Sequence, residues 1–191
     1  MDMTPLGQMK DWFEIAHKEV CSLVSSLPDE KIAWQPHPAA TSIAFNVWHL
    51  ARWADYVQSQ LRTNTAGLRQ RLEPHDEIWA SENLAAAWGL LQTDLGNVEA
   101  GNDLEERAAE LRFPGRAVLL DYLQRCYALE EEAMAAVDEE QFQAHSDQHE
   151  TTPEDTVGRW LMSHLIHEWE HLGIIRYASG LYDLHTGRGK E

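Results

Sequence analysis

Apolar residues recur at three- and four-residue spacing in four long segments of the chain, the period of a helix that buries one face. The first segment runs from Pro5 to Leu27. Trp12, Phe13, Ala16, Val20, Leu23, Val24 and Leu27 mark its inward face, and Pro28 stops it. The second, SIAFNVWHLARWADYVQSQL, starts at Ser42, a good N-cap, and reaches about Arg62. Its stripe reads Ile43, Asn46, His49, Trp53, Val57 and Leu61. The third covers Arg116 to Val137, with Glu130, Glu131 and Glu132 as a solvated run near its end. The fourth spans Pro153 to Ser179, with Thr152 as N-cap, Pro153 in the first turn and Gly180 as the stop. Its seam is Trp160, His164, His167, His171, Ile174 and Ala178. Between the second and third segments, Thr63 to Gly115 is less regular and predicts two short helices, Glu82 to about Leu95 and Leu104 to Leu111. Strand-like alternation and internal repeats are absent. The pattern predicts an all-α four-helix bundle with a helical insertion between helices two and three, residues 1–191 forming one domain.

Composition narrows the partners. The 191 residues suffice for a sizeable core. A net charge of −17 repels phosphate backbones and anionic lipid, which argues against nucleic acid or a membrane as partner. No apolar run approaches the roughly 20 residues that span a bilayer. The start, MDMTPLGQMKDWF, lacks a signal-peptide pattern, so the cytoplasm is the expected location. Cys21 and Cys126 lie far apart, each within a predicted helix and outside any Cys-x-x-Cys pair, so both read as buried thiols.

The candidate chemistry lies in the histidines. His167 and His171 are one helical turn apart and project from one face, so both imidazoles can reach a single metal ion. His164 and His171 are separated by about 10 Å of helix rise, too far to share an ion at bonds of about 2.1 Å. Imidazoles in a core seam need partners, because an unpaired buried polar group costs about 1–3 kcal/mol. His49, mid-helix on the second stripe, supplies a third ligand from another helix. The expected set is therefore His49, His167 and His171 around one divalent ion, with open positions for water or substrate. His164 is a candidate supporting residue beside that set, and Glu168 a candidate base.

Two other metal patterns compete. His167-Glu168-x-x-His171 matches the zincin signature, but only twenty residues follow His171, and position 177 is Tyr where the metzincin extension needs His. A di-iron carboxylate bundle wants Glu-x-x-His doublets, which Glu14–His17 and Glu168–His171 supply, but also a Glu on the second helix, where His49 stands.

These residues resemble the DinB/YfiT-like metalloprotein superfamily. The likeness rests on LPDEKIAWQPHPAATSIAFNVWHLARW, where His49 matches the first metal histidine, on the stretch from Ile78 to Val137, and on TVGRWLMSHLIHEWEHLGIIRYASGL. In that last segment His167 and His171 match the paired ligands, and Gly173 matches the glycine of the usual H-x-G-Q motif. Ile174 departs from it, standing where many members have Gln. The resemblance implies a DinB-like four-helix bundle, a zinc or nickel ion, and a homodimer. It also implies a small-molecule substrate and an activity of two kinds: transfer of a low-molecular-weight cellular thiol to a small electrophile, or hydrolysis. A non-catalytic metal-binding protein is the third reading. Arg52, Trp53, His75 and Trp79 are candidates to line the substrate pocket, whose mouth would be the insertion and the Pro-rich turn.

Overall fold

The computed structural model describes residues 4–90, 109–146 and 155–187. Four long helices carry the architecture, and each begins or ends for a local reason. Helix α1 (Pro5–Ser26) starts with Pro5 in its first turn and the Thr4 hydroxyl accepting from the Gly7 amide. A one-turn helix, α2 (Asp29–Ile32), follows Pro28. Helix α3 (Ile43–Thr63) is capped by Ser42, whose hydroxyl accepts from the Phe45 amide at 3.1 Å. The insertion then contributes α4 (Ala66–Arg71), α5 (Ile78–Ser81) and α6 (Leu84–Ala87). Helix α7 (Arg116–Ala135), the short α8 (Glu139–Gln143) and the long α9 (Val157–Thr186) complete the described chain. Contacts run α1 to α7, α7 to α3, α3 to α9 and α9 back to α1, which closes the four-helix bundle.

Several boundaries differ from the sequence expectation. The cap of α9 is Thr156, whose hydroxyl accepts from the Arg159 amide; Thr152 and Pro153 lie outside the described residues. The helix also runs through Gly180 and stops at Gly187, which takes the left-handed conformation (φ 75°). Interior glycine costs only about 1 kcal/mol, and tertiary contacts beyond it outweigh that. Asp183 takes the ammonium of Lys31 at 2.7 Å, and Tyr182 packs edge-on against Trp34. The helix expected from Glu82 is broken at its start, because Asn83 turns left-handed (φ 51°) and separates α5 from α6. Residues 91–95 and 104–108 of the two expected short helices lie outside the described residues, while Leu111 is not helical.

Side-chain burial corrects three further readings. Trp12 is half exposed and sits edge-on to Trp169, so it does not belong to the inward face of α1. Ile174 is exposed, and its neighbour Ile175 takes the core position. Glu130 is fully buried, although it stands in a run of three glutamates. Trp12, Met162 and Ile166 leave an exposed apolar strip along α1 and α9. Both cysteines are free: Cys126 is buried and Cys21 partly so, its thiol pushed up to about 11 by burial. Among the described residues no helix is long and apolar enough to cross a membrane.

The core has two apolar halves. One holds Val20, Leu50, Tyr127 and Leu172; the other holds Phe13, Val57, Ala133 and Leu165. Between them, at the level of His17, Glu130, His164 and Glu168, the interior is polar.

Candidate metal centre

Asn46 and His49 lie one turn apart on α3, and both face α9. His49 is nearly buried, while His167 and His171 are partly exposed. Ligand atoms of the three histidines all lie within 4.8 Å of one another. The His49 and His167 Nε2 atoms are 3.0 Å apart, and the ring centroids are 4.4–4.9 Å apart. The expected triad is thus assembled from two helices as the spacing implied.

The amide of Asn46 orients one of these rings. Its Nδ2 donates to the Ser42 carbonyl at 2.9 Å, which turns Oδ1 toward α9. His171 Nδ1 then donates to Oδ1 at 2.8 Å, leaving Nε2 as a lone-pair donor aimed at its neighbours. His167 Nδ1 is buried without a hydrogen-bond partner. Burial holds all three imidazoles in the neutral, ligating form: it brings His49 down to about 3, His167 to about 2 and His171 to about 4. Repulsion from His171, were it protonated, lowers His49 and His167 further, and the Arg52 guanidinium does the same for His49. Three lone pairs packed this closely, with one ring nitrogen orphaned, fit a shared cation better than they fit one another. Among the described residues no fourth protein ligand joins the triad.

The other candidate residues spread around this centre. Trp53 packs against His167 at 5.1 Å and His49 at 6.4 Å, centroid to centroid, forming one wall. Arg52 lies beside that wall, but its guanidinium pairs with Glu77 at 2.7 Å and covers the Trp79 ring at 5.3 Å. Trp79 is buried in the aromatic cluster with Trp48, Trp88 and Tyr122. His75 is exposed and bonds the backbone oxygen of Asp76; the structure does not bring it to the triad. Asp55, which the sequence reading passed over, organises this side. It is fully buried and accepts from the amides of Ile78 and Trp79 and from the Tyr122 hydroxyl, each at 2.8 Å.

Glu168 and His164 turn the other way. Both are buried beside His17 of α1 and Glu130 of α7. Ligand atoms of His17, Glu130 and Glu168 lie within 4.8 Å of one another, so this second buried group can also hold a metal ion. Burial pulls the His17 imidazole down, but the Glu168 charge and the bonds to Glu130 and Glu131 raise it well above the ordinary value. His164 is likewise lowered by burial and raised on balance by Glu130. Glu14, the other half of the doublet seen in the sequence, is exposed and bonds Lys18.

Comparison with known proteins gives this arrangement a context. The sequence profile of the DinB superfamily matches residues 13–175, a span that includes all three triad histidines. The chain belongs to the DinB superfamily. A crystal structure of a conserved protein from Enterococcus faecalis has the same fold, with a TM-score of 0.68 and 22% identity, over 94% of this chain and 98% of that one. No curated protein matches the sequence. Both groups that could hold a metal ion, the three-histidine triad and the His17, Glu130 and Glu168 group, fall within the matched span.

Proposed function

We propose that this DinB-superfamily protein is a cytoplasmic, metal-dependent transferase that joins a low-molecular-weight thiol to a small electrophile. The observation that carries this reading is the partly exposed, neutral three-histidine set on α3 and α9, with no fourth protein ligand among the described residues. A zinc or nickel ion held by His49, His167 and His171 would supply Lewis acidity at that spot.

The protein's own groups favour a thiol over water as nucleophile. Hydrolysis calls for a general base near the attacking water. Glu168, beside His167 in sequence, is fully buried and turned toward His17 and His164, while Glu170, beside His171, is exposed with the apolar strip of Trp12, Met162 and Ile166. A thiol, with an ordinary pKa of about 8.5, needs far less help to lose its proton than water does. Trp53 supplies an apolar wall for the electrophile. Arg52, already paired with Glu77, is left to orient α5 and the Trp79 cluster. Partial exposure of His167 and His171 also speaks against a sealed, purely structural ion here.

The test is turnover of a small aryl halide by the zinc- or nickel-loaded protein, with cysteine, glutathione, bacillithiol or mycothiol, or with water alone. Thioether formation that depends on one thiol and disappears in His49→Ala is the expected result. Equal loss of the halide in the absence of any thiol would refute the transferase and leave the hydrolase.

A further inference from the structure

The polar layer between the two apolar halves of the core is the least expected feature of the bundle. Glu130 and Glu168 are both fully buried, and His17 and His164 are 3% and 5% exposed. Seven of their side-chain atoms are buried without a hydrogen bond of good geometry, and they meet one another only as imidazole–carboxylate pairs: His17 Nε2, both nitrogens of His164, and all four carboxylate oxygens. Among the described residues no Lys or Arg pairs with either carboxylate; their only ion-pair neighbours are the two imidazoles. Aromatic rings flank both imidazoles. Tyr127 stacks on His17 at 3.7 Å and Phe13 lies against His164 at 5.7 Å. An uncompensated buried carboxylate costs several kcal/mol, so two of them demand a local positive charge.

We infer that His17, Glu130, His164 and Glu168 bind a second divalent ion of the first transition row, in a closed site that staples α1, α7 and α9 together. The separations suit a coordination sphere. Ligands bonded at about 2.0–2.2 Å in tetrahedral or octahedral arrangement stand about 2.9–3.6 Å apart. Here His164 Nε2 is 2.9 Å from Glu130 Oε1, and His17 Nε2 is 3.4 Å from Glu168 Oε1 and 3.5 Å from Glu130 Oε2, all within that range; His164 Nε2 and Glu168 Oε1, at 3.8 Å, lie just beyond it. His17 is oriented as metal-bound histidines usually are. Its Nδ1 donates to Glu131 Oε1 at 2.7 Å, which aims Nε2 at the two carboxylates.

The donor set selects the metal class. Two imidazoles disfavour calcium and magnesium, and the absence of sulfur disfavours copper(I); zinc, iron(II), manganese(II) and cobalt(II) remain. His17, Glu130 and Glu168 place ligand atoms within 4.8 Å of one another, His164 Nε2 reaches Glu130 at 2.9 Å, and all four side chains are almost unexposed, which makes this site closed, in contrast to the three-histidine set further along α9. The ion's contribution is stability, and the inference stands without the transferase reading.

Metal content tests it. After zinc loading and gel filtration, the wild-type chain should carry two ions, and His171→Ala and Glu130→Gln one each. The cluster would carry no metal if the wild type held a single ion lost in His171→Ala, or if Glu130→Gln kept both; two protons on the imidazoles would then balance the carboxylates. Should Glu130→Gln fail to fold, His171→Ala alone decides, because its buried cluster is intact. Stripped of metal, its melting temperature should rise by about 5–10 °C once free zinc reaches a hundredfold over Kd. A melting temperature indifferent to zinc up to the millimolar range would overturn the inference.

Discussion

Replacing Asn46 by Leu removes the acceptor of the His171 Nδ1 proton while keeping the side chain's approximate volume. In the wild type that bond is 2.8 Å long, and the amide is itself fixed by its 2.9 Å bond to the Ser42 carbonyl. Asn46 is 1% exposed, so in the variant water has little access to replace the lost acceptor. The Nδ1–H would be left unpaired, and the ring would be free to rotate or change tautomer. Loss of such a supporting bond lowers metal affinity about 10–100-fold, equivalent to about 1.4–2.7 kcal/mol. Asn46→Asp should act oppositely, because a carboxylate is a stronger acceptor that makes the imidazole a better donor. Affinity should therefore follow Asp ≥ Asn > Leu. Competition for zinc against a chromophoric chelator at pH 7.5 measures it, with circular dichroism confirming that each variant is folded. A folded Leu variant that binds zinc within twofold of wild type would show that the Asn46 bond does not orient the ligand.

Proton competition offers a second check on the triad. Folded-state values of about 3, 2 and 4 for His49, His167 and His171 lie below the ordinary 6.5, so the native triad stays neutral until the pH falls toward 4. Zinc affinity at this site, measured in Glu130→Gln, should accordingly be nearly flat from pH 8 to pH 5; a steep fall beginning near pH 6.5 would mean that the imidazoles titrate normally. On the other side of α3, Asp55→Ala strips the acceptor from two backbone amides and the Tyr122 hydroxyl. It should destabilise the protein by about 3–5 kcal/mol in urea unfolding, and a loss below 1 kcal/mol would show that these groups find other partners.

Much of the bundle was legible because local signals and packing agree. The Ser42 cap, the three-four period and Pro28 place α1 and α3 within a residue or two of their observed ends. The triad was legible for the same reason: a His-x-x-x-His pair and a mid-stripe histidine can converge only across a bundle interior. Three features were not read correctly. The end of α9 moved from Gly180 to Gly187 because Lys31 and Trp34, remote in sequence, reward the extra turns. The start of α6 depends on a left-handed Asn83, which no periodicity encodes. The burial of Glu130 had a visible signal that composition obscured. The buried positions of α7 include Tyr122, Leu123, Cys126, Tyr127, Ala133 and Met134, and of the three glutamates only Glu130 continues that stripe. His17 stands likewise on the stripe of Phe13, Val20 and Val24. A charged residue at a core register position is the pattern that marks this cluster.

One helix serving two sites follows from its pitch. At 100° per residue, His164 and Glu168 define one stripe of α9, and His167 and His171 define another rotated by about 60°. The first stripe faces α1 and α7, where His17 and Glu130 meet it; the second faces α3, where Asn46 and His49 wait. The two stripes answer the cost of buried polarity differently. The triad holds neutral imidazoles near solvent and can exchange what it binds. The cluster holds two carboxylates sealed between apolar layers, where removing the compensating charge is expensive. A bundle that keeps its deep site filled can therefore tolerate an open, closely packed triad beside it, because the packing of α9 then rests on the inner site and not on what occupies the outer one.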